Sequence, residues 1–284
     1  MGRGPGLILD ARSREAFLEG HAPGAAHLRE SDWAARTAEL PARGQSFEVV
    51  GEDAQDSRRL ASLLQTRGFP HAQSASLRTL ADRSERGPAH DVLWRPSPWL
   101  VECAGRLPTR GHALDVACGS GRHAVWLAAH GLTTWGGDVL PDALRRAGAL
   151  AQAARELADS AELRPRAELA FAVIDATRDL PWRTGRFDVI CGFRYLDRTL
   201  FPRLLVHLAP GGWLVWETFT IEQLRFGKPR RPEFLLKHGE WEHLCAAAGL
   251  ELVAARETLA PGGPALSAVL ARRPFSLGNP GRSR

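Results

Sequence analysis

The sequence predicts an α/β protein, with a small α/β unit in front of a larger, doubly wound parallel sheet. Three observations carry this. From about Leu93, strand-like and helix-like runs alternate, the pattern of a parallel sheet covered on both faces. The stretch "LDVACGSGRHAVWLAAHG" (Leu114 to Gly131) reads as an apolar strand, a turn of small residues and a helix. Between the two units, "ADRSERGPAHDVLWRPSPWL" brings charges, prolines and tryptophans together, as a linker does. The predicted organisation is 1–82 for the front domain, 83–98 for the linker, 99–273 for the large domain and 274–284 for a basic tail.

In the front domain "LILD" is a strand, "SREAFLEG" a helix, "HAPGAAHL" a loop, "FEVVGE" a strand and "DSRRLASLLQTRG" a helix. The large domain opens with helix "WLVECAGRL" and strand "HALDVAC", followed by helix "GRHAVWLAAHG". Strand "TTWGGDV" precedes helix "PDALRRAGALAQAARELA", and strand "AELAFAVIDA" precedes the loop "TRDLPWRTG". Strand "RFDVICGF", a helix near "LFPRLLVHLA", strand "GGWLVWETFT" and helix "HGEWEHLCAAAG" come next. "LELVAARETL" and "PALSAVLARR" close the chain as a hairpin through "APGG".

Composition narrows the class. The 284 residues are 44% hydrophobic and 24% charged, ordinary for a globular protein. No run of about 18 apolar residues occurs, so no membrane span is expected. The N-terminus lacks the apolar core of a secretory signal. Four scattered cysteines, Cys103, Cys118, Cys191 and Cys245, make neither a disulfide framework nor a metal-ligand spacing. A cytoplasmic protein without a metal is expected. Net charge is +5, but residues 1–88 balance 12 basic against 12 acidic side chains, and the tail from Arg272 adds four arginines. That basicity is a weak signal for nucleic acid. The local exception is "RFGKPRRPEFLLK" (Arg225 to Lys237), with five basic residues and one acid.

The glycine turn brings backbone close to a ligand at the carboxyl end of the sheet, ahead of a helix N-terminus. A phosphate-binding P-loop needs Gly-Lys-Ser/Thr, and this turn ends Gly121-Arg122-His123. Gly119, Gly121 and Ala124 also satisfy a dinucleotide pattern, weakly. The acids are more informative. Asp115 lies in the first strand, Asp138 ends the second and Asp175 ends the third. A carboxylate at the second strand end accepts from both ribose hydroxyls, which suits NAD or an adenosyl ligand. One at the third accepts from an adenine amino group. Any single one of these aspartates could equally cap a helix.

With these residues in place, the chain over about 93–272 resembles the class I S-adenosylmethionine-dependent methyltransferases. "LDVACGSGR", "GGDVLPDAL", "VIDA", "RFDVICGF" and "LAPGGWLVWETF" match that family's successive motifs. The resemblance implies a seven-stranded Rossmann-like sheet whose last strand is reversed. It also implies S-adenosylmethionine as cofactor. Ala117, Cys118, Gly119 and Gly121 would approach its amino-acid part, and Asp115 its amino group. Asp138, with Val139, would hold the ribose, Asp175 and Ala176 the adenine, and Phe193 would complete the set. "GSGRHAVWLAAHG" further resembles the tellurite-resistance branch, whose members methylate soft small nucleophiles. No Asp/Asn/Ser-Pro-Pro-Tyr/Phe run, the mark of enzymes that methylate nucleic-acid amino groups, follows the fourth strand.

Transfer from a sulfonium needs mainly positioning, so no universal base is expected. The expected acceptor is a small molecule, such as a thiol or other soft anion. RNA is the alternative acceptor, and a non-catalytic cofactor sensor the alternative class. Tyr195, Arg194 and Glu217 are the candidate catalytic residues, with Arg198 as a further anion contact. Tyr195 could equally pack under the following helix, and Glu217 needs a partner if buried. The 225–237 insertion is read as a lid, an RNA contact or a solvated loop. Trp94, Arg95 and Trp99 are candidates to close the site or pack a seam.

The opening "LILDARSREAFLEGHAPGAAHL" resembles a rhodanese-like sulfurtransferase domain through Asp10, Arg12, Glu15, Phe17, Gly20, His21, Pro23, Gly24 and Ala25. That family's active loop starts with a cysteine after the "FEVV" strand. Here Glu52 or Asp53 stands in its place. The resemblance therefore implies a domain inactive as a sulfurtransferase, a structural module or a dock for a protein partner.

Overall fold

The computed structural model describes residues 6–178, 180–259 and 264–275. The hairpin tip "APGG" lies outside these residues, as does most of the basic tail. The chain divides into two compact units, residues 1–95 with 145–165, and residues 96–144 with 166–284.

The first unit is built on a four-stranded parallel sheet in the order β2-β1-β3-β4. Its strands are β1 (Leu7–Asp10), β2 (Ala25–His27), β3 (Phe47–Val50) and β4 (Ala72–Ser74). Helix α1 (Arg14–Glu19) follows β1, α2 (Ala54–Thr66) follows β3 and a short α3 (Leu77–Ala81) follows β4. β2 corrects the reading of "HAPGAAHL" as loop throughout, and β4 was not foreseen. Each is three residues long, too short to show a period. Amphipathic α2 buries Leu60, Ala61 and Leu64 against Leu9, Phe47 and Val49. Arg12 and Asp10 form a buried ion pair at 2.6 Å, and Arg12 also donates to the Gly20 carbonyl. The His21 ring stacks on Phe17 at 3.8 Å.

In the second unit a seven-stranded mixed sheet runs β10-β11-β9-β8-β5-β6-β7. The strands are β5 (His112–Val116), β6 (Thr133–Asp138), β7 (Leu169–Val173), β8 (Phe187–Phe193), β9 (Leu208–Phe219), β10 (Glu251–Leu259) and β11 (Ala265–Arg272). β5 to β9 pair in parallel, whereas β11 runs antiparallel to both β9 and β10. The reversed strand and the closing hairpin expected from the sequence are therefore present. Helices α4 (Pro98–Cys103), α5 (Arg122–His130), α7 (Leu200–His207) and α8 (Glu240–Ala247) belong to this unit. The helix α6 (Pro141–Arg155) begins in it.

The core is dense where β8 and β9 meet. A Cβ on Gly192 of β8 would come within 2.4 Å of the Trp216 indole on β9, so only glycine fits there. The Trp216 N–H donates to the Tyr195 carbonyl at 2.7 Å and ties the segment after β8 to the sheet. Phe201 and Trp241 complete an edge-to-face aromatic series.

Candidate functional site

Asp115, the 117–121 turn and Asp138 converge at the carboxyl ends of β5 and β6. The turn is left-handed at three residues: Ala117 (φ 53°), Gly119 (φ 55°) and Gly121 (φ 79°). It is pinned to β6 by the Cys118 N–H on the Gly137 carbonyl (3.0 Å) and the Gly119 N–H on Asp138 Oδ2 (2.9 Å). Asp138 Oδ1 also accepts the Leu140 N–H at 2.9 Å. No heavy atom lies within 4 Å of where a Gly119 Cβ would stand, so the turn faces open space. Gly121 is the N-cap of α5 and brings no side-chain acceptor. Instead Asp115 Oδ2 accepts the Ala124 N–H at 3.1 Å.

Ala117 bears the left-handed conformation at the cost of steric strain. Ala117→Gly is expected to raise stability by about 0.5–1 kcal/mol. Denaturant melts of the two proteins check this.

Burial sets the protonation chemistry. Asp115 is 1% exposed, and this pushes its carboxyl up to about 7, despite the bonds from Cys191 Sγ and the Ala124 N–H. Burial, reinforced by Asp115, keeps the Cys118 and Cys191 thiols well above the usual range, so neither is a nucleophile at neutral pH. Two exposed apolar side chains, Val139 and Leu140, follow Asp138 directly. Asp175 stands two residues beyond β7 rather than at its end. It accepts the Thr177 hydroxyl at 2.6 Å, which lowers its pKa. Ala176 packs against the core.

At the ends of β8 and β9, Phe193 stacks on His123 with ring centroids 3.8 Å apart. Burial pushes the His123 imidazole down to about 3, helped by the charges of Arg122 and Arg194. Burial also lowers the pKa of Arg122, and Arg194 adds to this. Arg194 is itself left-handed (φ 59°), with its guanidinium 5.3 Å from the Phe219 ring centroid. Its N–H donates to the Glu217 carbonyl at 2.7 Å. The buried Glu217 carboxylate accepts the Ser97 hydroxyl at 3.0 Å, the partner its burial requires. Its pKa is raised by burial. Tyr195 packs against the core cluster, and burial raises its pKa.

One reading needs correcting. Arg198 is held by Glu240 and by the carbonyls of Glu233 and Leu235, so it braces the loop before α8 rather than waiting for an anion. Trp99 is likewise occupied: its N–H donates to the Val269 carbonyl, and Arg256 lies over its ring. Trp94 and Arg95 belong to the first unit. Sequence reasoning missed His123, Arg122 and Ser97 as site residues. The one local signal was a pair of polar residues opening an otherwise apolar helix. Within the first unit, Asp53 caps α2 through the N–H groups of Gln55 and Asp56, and Asp56 accepts the Glu52 N–H. The acids of the loop after β3 thus serve the turn itself.

A mixed seven-stranded sheet, with β11 reversed and a glycine turn between β5 and α5, defines the Rossmann-like methyltransferase class. The profile of the family described as methyltransferase domain matches residues 89–255, and the chain belongs to this family. The rhodanese-like domain profile matches residues 1–76. Among solved structures, a SAM-dependent methyltransferase of Methanosarcina mazei is 18% identical, with 64% of this chain and 100% of that chain covered and a TM-score of 0.50. An S-adenosylmethionine-dependent methyltransferase of Mesorhizobium loti is also 18% identical, covering 61% and 96% with a TM-score of 0.48. The 1,6-didemethyltoxoflavin-N1-methyltransferase of Burkholderia thailandensis, solved with bound 1,6-didemethyltoxoflavin and S-adenosylhomocysteine, is 18% identical, covering 63% and 77% at a TM-score of 0.47. No curated protein matches the chain. No helix of the described residues is long and apolar enough to cross a membrane.

Proposed function

We propose that the second unit transfers a methyl group from S-adenosylmethionine to a small anionic acceptor with a soft nucleophilic atom. The observation that carries this is the junction of the open turn at Gly119 with Asp138, whose carboxylate already organises two backbone N–H groups. The donor set fits the cofactor: carboxylates for ammonium and ribose, exposed apolar side chains for a nucleobase. When bound, S-adenosylmethionine supplies a sulfonium-activated methyl group. Ionised Asp115 would hold the amino group and Asp138 the ribose hydroxyls. Val139 and Leu140 would cover the adenine, with Asp175 and Ala176 at its edge.

The acceptor side argues for an anion. His123 is held too low to take a proton at neutral pH, so a thiol has to arrive ionised or lose its proton to water. The positive charges of Arg122 and Arg194 favour the ionised form. Positioning then supplies the rate, with effective molarities of about 10⁵–10⁸ M within reach of well-oriented groups. The finer assignment to a tellurite-resistance-type branch rests on "GSGRHAVWLAAHG". The first unit we read as inactive in sulfur transfer.

A label-transfer assay tests the reading. Purified protein and methyl-labelled S-adenosylmethionine are incubated with cell extract, which is then fractionated. Label in the small-molecule pool is the expected result. Nuclease-sensitive label would move the acceptor to RNA and implicate the 225–237 insertion. Cofactor binding with no label anywhere would make the unit a sensor. Absence of S-adenosylhomocysteine binding would overturn the proposal.

A further inference from the structure

The first unit contains a cleft open to solvent and built from its own residues alone. Leu28, Leu93 and Trp94 form part of its lining, each no more than 3% exposed. Two ion pairs are set among these apolar groups. Arg36 binds Glu39 through two hydrogen bonds of 2.6 Å each, with Glu39 almost buried. Arg14 meets Glu156 at 2.5 Å, and both remain about half exposed. His27 also lines the cleft, with Nε2 on the Arg12 carbonyl at 3.0 Å. Burial keeps this imidazole neutral, so Nε2 donates and Nδ1 is left as an acceptor.

This is an unusual lining for a structural seam. Charges set among leucine and tryptophan cost desolvation that a packed apolar core would avoid. A fifth charge in the lining, Asp91, is already paired with Arg95 at 2.8 Å, and the other four cancel, so the cleft does not select a net anion or a net cation. It offers a cationic fork and a carboxylate side by side, above an apolar floor. The half-exposed Arg14–Glu156 pair contributes little to stability and opens cheaply. A ligand carrying both charges can replace each partner with its own opposite charge and lose no ion pairing.

We propose that this cleft binds a small zwitterion with an apolar side chain, the chemistry of a free α-amino acid. The ligand carboxylate pairs with Arg14 and its ammonium with Glu156, while the side chain lies against the part-exposed Leu18, Ala89 and Val92. The Arg36–Glu39 pair stays closed and fixes the wall. The site is independent of the methyl-transfer reading, because none of its residues belongs to the second unit.

The test is isothermal titration of the full chain with L-leucine, L-methionine and L-phenylalanine, in saturating S-adenosylhomocysteine. The cofactor product blocks amino-acid binding at the 117–121 turn, and its own titration reports separately on that site. Saturable binding of at least one amino acid is expected. The N-acetyl and amide derivatives of that compound, each lacking one charge, should bind at least tenfold more weakly. Arg14→Gln and Glu156→Gln should each weaken binding at least tenfold, with melting temperatures unchanged. The proposal is overturned by no saturable heat from any of the three. It is equally overturned by an N-acetyl derivative that binds as well, or by variants that bind as the parent does.

Discussion

Asp115→Asn is expected to make the folded protein more stable above pH 7 and a poorer binder of S-adenosylhomocysteine. In the unfolded chain the Asp115 carboxyl titrates near 3.8, whereas burial holds it up at about 7 in the fold. Between those values the folded state keeps a proton that the unfolded state has released. Stability therefore falls as pH rises from about 4 to about 7, then stays level. Asparagine keeps an oxygen for the Ala124 N–H and removes the charge. The gain at pH 8 is expected to be on the order of 2 kcal/mol, and the slope below pH 7 flattens. The proposed ammonium contact is lost with the charge, which lowers affinity about 10- to 100-fold. In the parent protein, affinity should rise from pH 6 to pH 8 as Asp115 ionises. In Asp115→Asn it should not. Thermal melts and titrations across that range check both halves. An unchanged affinity at pH 8 would remove Asp115 from the site.

The second large effect is expected at Asp138. Alanine there strips the acceptor from the Gly119 and Leu140 N–H groups and, on the proposed function, from both ribose hydroxyls. Two hydrogen bonds to a charged group are worth about 3–6 kcal/mol when desolvated, so affinity should fall by at least about 100-fold. The turn should also loosen, at a cost of about 1–2 kcal/mol in stability. Asp175→Ala provides the contrast. That carboxylate is partly exposed, with Thr177 and Arg178 as its partners, so its loss should cost no more than about tenfold. Equal effects of the two variants, read by calorimetry, would contradict the ribose assignment.

The features behind both effects are legible in the sequence. The glycine turn and Asp138 are encoded within about 25 residues, and the strand–helix alternation fixes which end of the sheet they share. The reversed β11 showed through its hairpin pattern and through the family resemblance. What escaped lies far apart in the chain. Ser97 and Glu217 are 120 positions apart and meet only because α4 packs near β9. His123 looked like an ordinary helix residue until the sheet set Phe193 beneath its ring. Arg198 read as a free cation because Glu240 lies 42 residues on. The cleft of the first unit stayed invisible for a related reason: Glu156 and Leu157 join that unit from a distant segment.

The fit between Gly192 and Trp216 has an evolutionary consequence. The indole fills the volume that a side chain at 192 would need, and its N–H anchors the carbonyl of Tyr195 beside the site. Neither position can drift alone. A larger residue at 192 meets the ring, and a smaller one at 216 leaves a cavity and frees the backbone after β8. In descendants of this chain the two positions should change together or stay fixed, so any that diverge in what they methylate must do so by altering side chains on a main chain they inherit unchanged.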